Sequence, residues 1–340
     1  MTAAEVLTEL APAAALSPNL TSWDGNLSGK LLMAPMAGVS DAAYRLMARA
    51  GGAALAYSEM VSCAGLHYGE KSWELVDPDP AEPDIAVQLF GSRPELFRES
   101  AERVSARLGE RLALIDINMA CPVPKVTKKG EGSALLESPG LAADIVRACR
   151  EGAPNAAVTV KIRRGRSMGK EVAPEFARAM EDAGASAIAV HGRFATQMYH
   201  GEADWGVIDR VADAVSVPVI ASGDVLSHEA ALRALSQTGA SAVMVARGTY
   251  GNPWVFSGHE PSAAERIAAF ECHVRLLEAT GAHLKRARSL AGWYFKGMPD
   301  AARWRNAAMS CTTAEEFLAV AAEVRRAQSV QNSPGTYRTC

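Results

Sequence analysis

The chain has 340 residues and a formal net charge of −3, and 49% of its residues are hydrophobic while 21% are charged. Because this length exceeds the usual size of a single hydrophobic core, we expect one large domain and a smaller one. No apolar run approaches the ~20 residues that a membrane helix needs, which argues against a membrane protein.

The segment before the first predicted strand contains acidic residues and lacks a basic n-region. We predict that residues 1–28 form an N-terminal helical extension and not a secretory signal, and we therefore expect a cytoplasmic protein. The six cysteines are scattered and form no Cys-x-x-Cys pair. Reduced thiols are expected, with neither a zinc site nor a disulfide framework. Nothing in the sequence indicates a protein partner.

Eight short apolar runs, followed by loops and helical patterns, predict eight strands. Strands that are apolar throughout are typical of a parallel sheet buried on both faces, and eight βα units in roughly 250 residues fit a closed (β/α)8 TIM barrel. A doubly wound open sheet is the alternative. The predicted strands are Lys30–Met33, Ala54–Ser58, Ile85–Leu89, Leu114–Asn118, Ala157–Ile162, Ala187–His191, Val217–Ser222 and Ala242–Ala246.

Helical patterns alternate with these strands and then dominate the C-terminal part. The strand pattern ends after Ser257-Gly258, which predicts a boundary. We predict a barrel over residues 29–258, a small all-helical domain over 259–328, and a flexible tail over 329–340, where periodicity is lost. The predicted helices are Asp41–Ala50, Pro94–Leu108, Ser227–Gln237, Ala263–Ala279, His283–Lys296, Asp300–Met309 and Thr313–Ala327, the last with a Thr313–Glu316 capping box.

Charge is unevenly distributed along the chain. Residues 121–170 hold ten Lys or Arg against four Asp or Glu, and residues 262–340 hold eleven against seven, so the remainder is acidic. Two basic regions on an acidic body are compatible with a nucleic-acid track, although a solvated charged face is the commoner explanation of one such run.

Polar or small residues stand where each predicted strand ends, and in a (β/α)8 barrel the active site forms at these ends. A lone Gln or His there is usually structural, with a satisfied hydrogen bond. Eight such ends together favour a ligand site. The residues are Ala34–Gly38, Ser58–Met60, Gln88, Asn118 with Cys121, Lys161 with Arg163, His191 with Arg193, Ser222–Asp224, and Arg247 with Gly248.

The ends of the seventh and eighth predicted strands, Ser222–Asp224 and Arg247 with Gly248, predict a phosphate site. Barrels frequently hold a phosphate between the loops after these two strands. The planar fork of Arg247 suits an oxyanion better than a lysine does. Lys161, His191 and Gln88 are interpreted as hydrogen-bond partners of a planar, electron-rich cofactor ring such as a flavin. The alternative for Lys161 is an internal ion pair with a carboxylate such as Glu59.

Cys121 is singled out by its position in a loop next to Pro122 and close to basic residues. It is a candidate nucleophile or proton donor, whereas no neighbouring histidine supports cysteine-hydrolase chemistry. Most free cysteines are small buried hydrophobes, and this is the interpretation for Cys149, Cys272 and Cys311.

With these residues assembled, the chain resembles the flavin-dependent tRNA-dihydrouridine synthases from about Leu31 through the helical region. The resemblance implies a barrel that binds FMN, a C-terminal helical domain that helps to bind tRNA, and reduction of a uracil C5=C6 bond with NADPH as reductant. The motifs that carry it, in the family's order, are MAPMAGVSD, SEM, VQLFG, DINMACPVPKV with GSALL, VTVKIRRG, VHGR with GEADW, PVIASGD and MVARGTYGNPW.

The same resemblance implies roles for individual residues. Asn118 would orient the uracil, and Cys121 would protonate C5 while reduced flavin delivers hydride to C6. A base inside folded tRNA must be swung out to reach the flavin. RNA contacts are expected from Lys125, Lys128, Arg163 and Arg193. Flavin contacts are expected from Pro35, Met36, Ala37, Gln88, Lys161 and His191 at the ring, and from Ser222, Gly223, Asp224, Ala246 and Arg247 at the phosphate.

Some positions depart from the family pattern. The departures are Ala120 for Gly, Ser222 for Asn, Ala246 for Gly, Phe194-Ala195 for Thr-Arg, and Ser289-Leu290 for Lys-His. Because the last two affect a loop by the substrate and a cationic RNA contact, two alternatives stay open. One is a relative that reduces an activated C=C bond of a small molecule. The other is a flavin-containing RNA-binding protein without turnover, against which the intact Cys121 loop argues.

Overall fold

The structure, a computed structural model, describes residues 1–69 and 71–331. A single curled sheet of parallel strands lies at its centre, and helices cover the outer face. Within the described residues the strands are β1 Lys30–Met33, β2 Leu55–Ala56, β3 Val61–Ser62, β4 Ile85–Phe90, β5 Leu112–Met119, β6 Val158–Gly165, β7 Ala187–Phe194, β8 Val219–Ser222 and β9 Ala242–Val245.

All strands except β3 join into a closed ring. Their order in the sheet is β2-β1-β9-β8-β7-β6-β5-β4-β3. The ring closes where Tyr57, which follows β2, bridges Ala86 of β4, and the Ser58 N–H donates to the Ala86 carbonyl at 2.8 Å. β3 is a short extra strand that pairs with the end of β4. The predicted (β/α)8 barrel is therefore confirmed, and the open-sheet alternative is wrong.

Burial accounts for the apolar composition of the strands. β7, for example, is buried at every one of its residues, because helices cover its outer face and side chains fill the barrel interior. β2 is shorter than the predicted Ala54–Ser58, because the chain leaves β1 after Ala56 and crosses to β4.

The helices start where the sequence offers capping side chains. The Asp41 carboxylate accepts the Tyr44 N–H at 2.8 Å, and the Ser227 hydroxyl accepts the Ala230 N–H at 3.1 Å. In the described part of the chain the helices are α1 Ala3–Leu10, α2 Ala42–Ala50, α3 Cys63–Tyr68, α4 Pro94–Leu108, α5 Pro124–Thr127, α6 Pro139–Gly152, α7 Ala173–Asp182, α8 Gly206–Ala214, α9 His228–Gln237, α10 Ala263–Ala279, α11 Ala287–Tyr294, α12 Ala301–Ser310 and α13 Ala314–Gln331.

The segment after the barrel is helical, as predicted, with two corrections. The predicted helix His283–Lys296 is a short 3-10 turn, Leu284–Arg286, followed by α11. α13 opens on the predicted capping box, in which Thr313 and Glu316 exchange hydrogen bonds of 3.3 and 3.1 Å. It runs to Gln331 and so includes the first residues of the predicted tail, while residues 332–340 lie outside the described residues. The division into domains at residue 258 stays a prediction.

The N-terminal extension contains the predicted helix, α1, which has its own Thr2–Glu5 capping box. It packs against α10, and the Trp254 indole N–H donates to the Ala14 carbonyl at 2.8 Å. The extension therefore joins the end of the barrel to the C-terminal helices. Over residues 1–69 and 71–331, no helix has the length and apolarity required to cross a membrane.

Candidate active site

A cavity of about 350 Å³ opens at the C-terminal ends of the barrel strands. Every strand of the ring except β2 contributes at least one lining residue, either in its C-terminal half or just after its end. Most residues predicted from the sequence line it: Pro35, Met36, Ala37, Gln88, Asn118, Cys121, Lys161, Arg163, His191, Ser222, Gly223, Asp224, Ala246 and Arg247. Lys125 and Lys128 are exposed on and beside α5, next to the Cys121 loop, and Arg193 does not line the cavity.

The turn after β8 presents backbone N–H groups to a ligand. Gly223 and Asp224 both have left-handed backbone conformations, with φ of 105° and 54°. Their N–H groups donate to none of the residues that the structure describes. A Cβ at Gly223 would lie 2.7 Å from Cδ2 of His191 and 2.9 Å from Cβ of Ala203, so only glycine fits there. This turn is suited to an oxyanion such as a phosphate.

If the turn holds the phosphate of the FMN that the resemblance implies, Gly223→Ala should weaken FMN binding by at least about tenfold, because the methyl group displaces the turn or the His191 ring. The dissociation constant can be measured from the fluorescence of released flavin. Gly281→Ala is the matched control, since Gly281 has φ of 69° but no atom within 4 Å of the point that a Cβ would occupy. Equal flavin affinities in the two variants would contradict the assignment of this turn.

Arginine side chains neutralise the carboxylate in this turn. Arg193 binds Asp224 through two hydrogen bonds of 2.7 Å, and Arg247 adds a third of 3.0 Å. Burial by itself raises the pKa of Asp224, but the bonds from Arg193 and the Ala203 N–H outweigh it, so the pKa is lowered. The Asp224 side chain therefore orients arginines, and only its N–H is left to face a phosphate.

Arg193 is a structural residue. It is buried, and its remaining hydrogen bonds go to the carbonyls of His200 and Gly201. Its guanidinium is committed to these acceptors, and the RNA contact predicted for Arg193 stays a prediction. Arg247 is more exposed, and its guanidinium lies 5.0 Å above the ring of Tyr199 at the cavity mouth.

Two buried polar side chains face the cavity without a partner. Nε2 of His191 is a buried atom that has no hydrogen bond among the described residues. Lys161 lines the same cavity and forms neither a hydrogen bond nor an ion pair with those residues. The alternative partner for Lys161 is excluded, because Glu59 accepts the Gly38 N–H at 2.6 Å and an Arg286 N–H at 3.0 Å instead. Unpartnered buried polar groups of this kind indicate a ligand site.

Burial and positive neighbours set the charge of these two groups. Burial first, and then the charge of Arg163, lower the pKa of Lys161 to about 8. Burial likewise holds the pKa of His191 well below its usual range, and the charges of Lys161, Arg163, Arg193 and Arg247 act in the same direction. At neutral pH the site thus presents a lysine ammonium and a neutral imidazole, in surroundings that favour an anionic ligand.

The Cys121 loop is held by hydrogen bonds from three directions. Oδ1 of Asn118 accepts the N–H groups of Ala120 at 3.1 Å and Cys121 at 2.9 Å. Nε of Arg163 donates to the Ala120 carbonyl at 2.9 Å, and the Ser133 N–H donates to the Cys121 carbonyl at 3.0 Å. Asn118 is therefore a positioning residue for Cys121, and its implied contact with uracil stays a prediction.

Neighbouring motifs complete this loop. A Cβ at Gly132, whose φ is 60°, would lie 2.7 Å from the Cys121 carbonyl oxygen, so the GSALL turn packs directly beneath the thiol loop. Ala120 is not among the residues with positive φ, so its methyl group adds no backbone strain where the family has Gly. Cys121 is partly exposed, whereas Cys149, Cys272 and Cys311 are buried, as predicted.

The C-terminal helices contact the cavity from one side. Tyr250, which lines the cavity, stacks on Trp293 of α11 with ring centroids 4.1 Å apart and planes at 6°. Arg286 forms ion pairs with Asp41 at 2.8 Å and with Glu59 at 3.0 Å. Because Glu59 also binds the N–H of Gly38, next to the cavity, Arg286 joins the helical segment to the cavity wall.

Replacing Arg286 by methionine is expected to lower the free energy of unfolding by about 2–3 kcal/mol, because two nearly buried carboxylates lose their cation. The side chains of Asp41 and Glu59 are only 13% and 12% exposed. Arg147→Met, which removes an exposed ion pair with Asp144, should change the free energy of unfolding by less than about 1 kcal/mol. Urea unfolding measures both, and equal effects would contradict the prediction.

Apolar side chains are exposed around the cavity mouth. Val123, Tyr199 and Leu226 are 44%, 58% and 56% exposed. All three line the cavity, and exposed apolar groups at a polar rim are typical of a binding surface. Sequence reasoning missed Tyr199 and Leu226, since each lies several residues beyond a strand end.

Comparison with known proteins identifies the family. The sequence model of the family described as dihydrouridine synthase matches residues 32–331. A "Probable tRNA-dihydrouridine synthase 1" from Synechocystis sp. is 37% identical over 88% of this chain and 89% of its own length. A tRNA-dihydrouridine synthase B from Xanthomonas axonopodis is 37% identical over 87% of this chain and 92% of its own.

Among solved structures, histamine dehydrogenase from Rhizobium sp. 4-9 is similar with a TM-score of 0.50 and 13% sequence identity, over 73% of this chain and 49% of that one. This similarity concerns the fold alone. The family match and the two relatives, each covering most of the chain, show that the protein belongs to the dihydrouridine synthase family and is an oxidoreductase.

Proposed function

We propose that the protein reduces the C5=C6 bond of a uridine in tRNA to dihydrouridine, with FMN as bound flavin and NADPH as reductant. The observation that carries this proposal is that the Cys121 thiol shares one cavity with the unpartnered Lys161 and His191. A tRNA substrate agrees with a cytoplasmic location, which is part of this proposal.

The residues of the cavity fit FMN. The free N–H groups of Gly223 and Asp224, together with Arg247, suit the phosphate. Lys161 and His191 offer polar hydrogens to the ring, and Gln88 of β4 lines the same cavity. Pro35, Met36 and Ala37 supply a less polar wall. NADPH is proposed on the family resemblance.

The bound flavin and Cys121 have different roles in the proposed reaction. When bound, FMN supplies the hydride that adds to C6 of the uracil. Cys121 donates its Sγ proton to C5, so the double bond is consumed by one hydride and one proton. Lys161 and Arg163 line the same cavity as Cys121 and bring positive charge to it. Water at the open cavity mouth then restores the proton.

The cavity mouth is suited to an RNA base. The exposed side chains of Val123, Tyr199 and Leu226 offer apolar contact to a base that has left its stack, and Lys125 and Lys128 lie nearby for the backbone. Arg163 stays a proposed RNA contact through Nη2, because its other nitrogens bind the carbonyls of Ala120, Phe194 and Met198.

One observation favours the second candidate, a reductase of small molecules. Phe194 and Ala195 are both buried, and the Phe194 ring lies beneath the guanidinium of Arg164 at 4.7 Å. The side chains at these two positions therefore bring no positive charge to the substrate, where the family has Thr-Arg.

Single-turnover kinetics separate the two candidates. Holoenzyme is reduced anaerobically and mixed with an unmodified tRNA transcript, with free uridine, or with 2-cyclohexenone, and flavin reoxidation is followed by absorbance. We expect rapid reoxidation and dihydrouridine formation with the transcript alone. Rapid reoxidation by the enone, with none by several different transcripts, would support the small-molecule reductase instead.

A further inference from the structure

A row of buried polar side chains runs across three strands beneath the Cys121 loop. Asp116 of β5 lies in register with Gln88 of β4 and Thr159 of β6. Its carboxylate accepts the Gln88 Nε2–H at 2.6 Å and the Thr159 hydroxyl at 2.6 Å. Asp116 is completely buried, and it is separated from Asn118 by one residue, so both side chains point into the barrel.

The row continues to the thiol loop. Nδ2 of Asn118 donates to Oε1 of Gln88 at 2.7 Å, and Oδ1 of Asn118 accepts the N–H groups of Ala120 and Cys121. Asp116 is thus connected to the loop through two amide side chains. Asp116 itself makes no contact with the cavity.

The direction of each hydrogen bond follows from the groups at the two ends of the row, which are the loop N–H groups and the Asp116 carboxylate. Backbone N–H groups only donate, so Asn118 must turn Oδ1 to the loop and Nδ2 to Gln88. Gln88 must then turn Oε1 to Asn118 and Nε2 to the next residue. That residue has to be an acceptor, and the Asp116 carboxylate is one. If Gln88 rotated by half a turn, two NH₂ groups would face each other.

We infer that Asp116 is a positioning residue for the thiol: through Gln88 and Asn118 it fixes the conformation of the Ala120–Cys121 loop. The inference deepens the proposed function, on which it rests for the role of Cys121. It assigns a task to a carboxylate that the reaction itself does not use. An unpaired buried polar group raises the free energy of the folded state. The side chains of the row should therefore keep the one set of orientations in which every donor and acceptor is paired.

Moving the carboxylate along the row tests this inference. In Asn118→Asp, measured at alkaline pH so that both carboxyl groups are ionised, Gln88 lies between two carboxylates and must turn Oε1 to one of them, so the loop loses its fixed position. In Asp116→Asn with Asn118→Asp, the two bonds through Gln88 reverse: the NH₂ at position 116 donates to Gln88, and Gln88 donates to the new carboxylate. Thr159 still donates to the oxygen at position 116, and the loop N–H groups still donate to position 118. All partners are then satisfied, and no side chain changes size.

The readout is the alkylation rate of Cys121 by iodoacetamide in the holoenzyme, followed by the mass of its peptide. Asn118→Asp and Asp116→Leu should each change this rate by at least about fivefold, because they leave a buried polar group unmatched. Asp116→Asn alone should stay within about twofold of wild type, since its amide oxygen can still accept from Gln88. The double variant should return to the same range.

The inference would be overturned if Asn118→Asp were alkylated at the wild-type rate. It would also be overturned if the alkylation rate of the double variant were no closer to wild type than that of Asn118→Asp. These two variants suffice if Asp116→Leu does not fold. Because no substrate is present, the alkylation pattern is independent of what the enzyme reduces. Protein that shows the expected pattern but does not reduce tRNA would leave the positioning role intact and contradict the proposed function instead.

Discussion

Replacing Cys121 by alanine is expected to slow reduction of tRNA by about 10²- to 10⁴-fold, the usual contribution of a positioned proton donor. Hydride transfer to C6 needs a proton at C5, and in the variant only water at the cavity mouth could supply it. FMN should remain bound with an unchanged spectrum, because the predicted cofactor contacts come from other residues. The measurement is the single-turnover rate of flavin reoxidation by tRNA.

Cys311→Ala serves as the matched control for the loss of a thiol. Cys311 is buried beside α12 and its thiol donates to the Ala307 carbonyl, outside the cavity. We expect this variant to reduce tRNA at the wild-type rate. If Cys121→Ala reacts as fast as Cys311→Ala, the proton reaches C5 by another route and the role of Cys121 is contradicted.

Lys161→Met should have two effects of opposite sign. The ammonium is placed to bind a negatively charged reduced flavin, and a hydrogen bond to a charged group contributes about 1.5–3 kcal/mol. Since 1.4 kcal/mol corresponds to about 30 mV for a two-electron couple, the midpoint potential of the bound flavin should fall by roughly 30–60 mV. Lys30→Met, on a partly exposed lysine outside the cavity, should leave the potential unchanged.

The second effect is on the flavin-free protein. Burial lowers the pKa of Lys161 from 10.5 to about 8 in the folded state. The folded protein therefore binds this proton less tightly, so the lysine destabilises the fold increasingly as the pH falls from 10.5 to 8, and fully below that. At pH 7 Lys161→Met should raise the free energy of unfolding by as much as about 3 kcal/mol.

The midpoint potential of the bound flavin should depend on pH through the protonation of Lys161. At low pH the ammonium is present and the difference between wild type and Lys161→Met is complete. The difference should shrink at high pH, where the lysine loses its proton. A potential that is equal in the two proteins at pH 7 would contradict the assignment of Lys161 to the flavin, whatever the effect on stability.

The barrel could be predicted because its strands are buried on both faces. A run such as Ala187–His191 is apolar throughout and is bounded by loops, so its position is visible in a local window. The contact that closes the ring could not be located in the sequence, because Tyr57 and Ala86 belong to separate segments that meet only in the fold. The predicted length of β2 was too great for the same reason.

The site residues at strand ends were predicted for a comparable reason, since topology gathers all strand ends at one edge. Pairings between side chains far apart in the chain could not be predicted. Arg193 pairs with Asp224, 31 residues away, and Arg286 with Glu59, 227 residues away. Asp116 was missed because it stands inside an apolar run, and its task appears only when Gln88 and Thr159 are in register beside it.

The central claim is that the enzyme reduces uridine in tRNA, and the most direct test is made on the tRNA itself. Reduced holoenzyme is incubated with tRNA from a strain that makes no dihydrouridine, and the nucleosides are analysed by mass spectrometry. We predict that at least one uridine becomes heavier by two hydrogen atoms, and that Cys121→Ala yields far less of this product. If holoenzyme with active flavin leaves every uridine unchanged, the proposed function is contradicted.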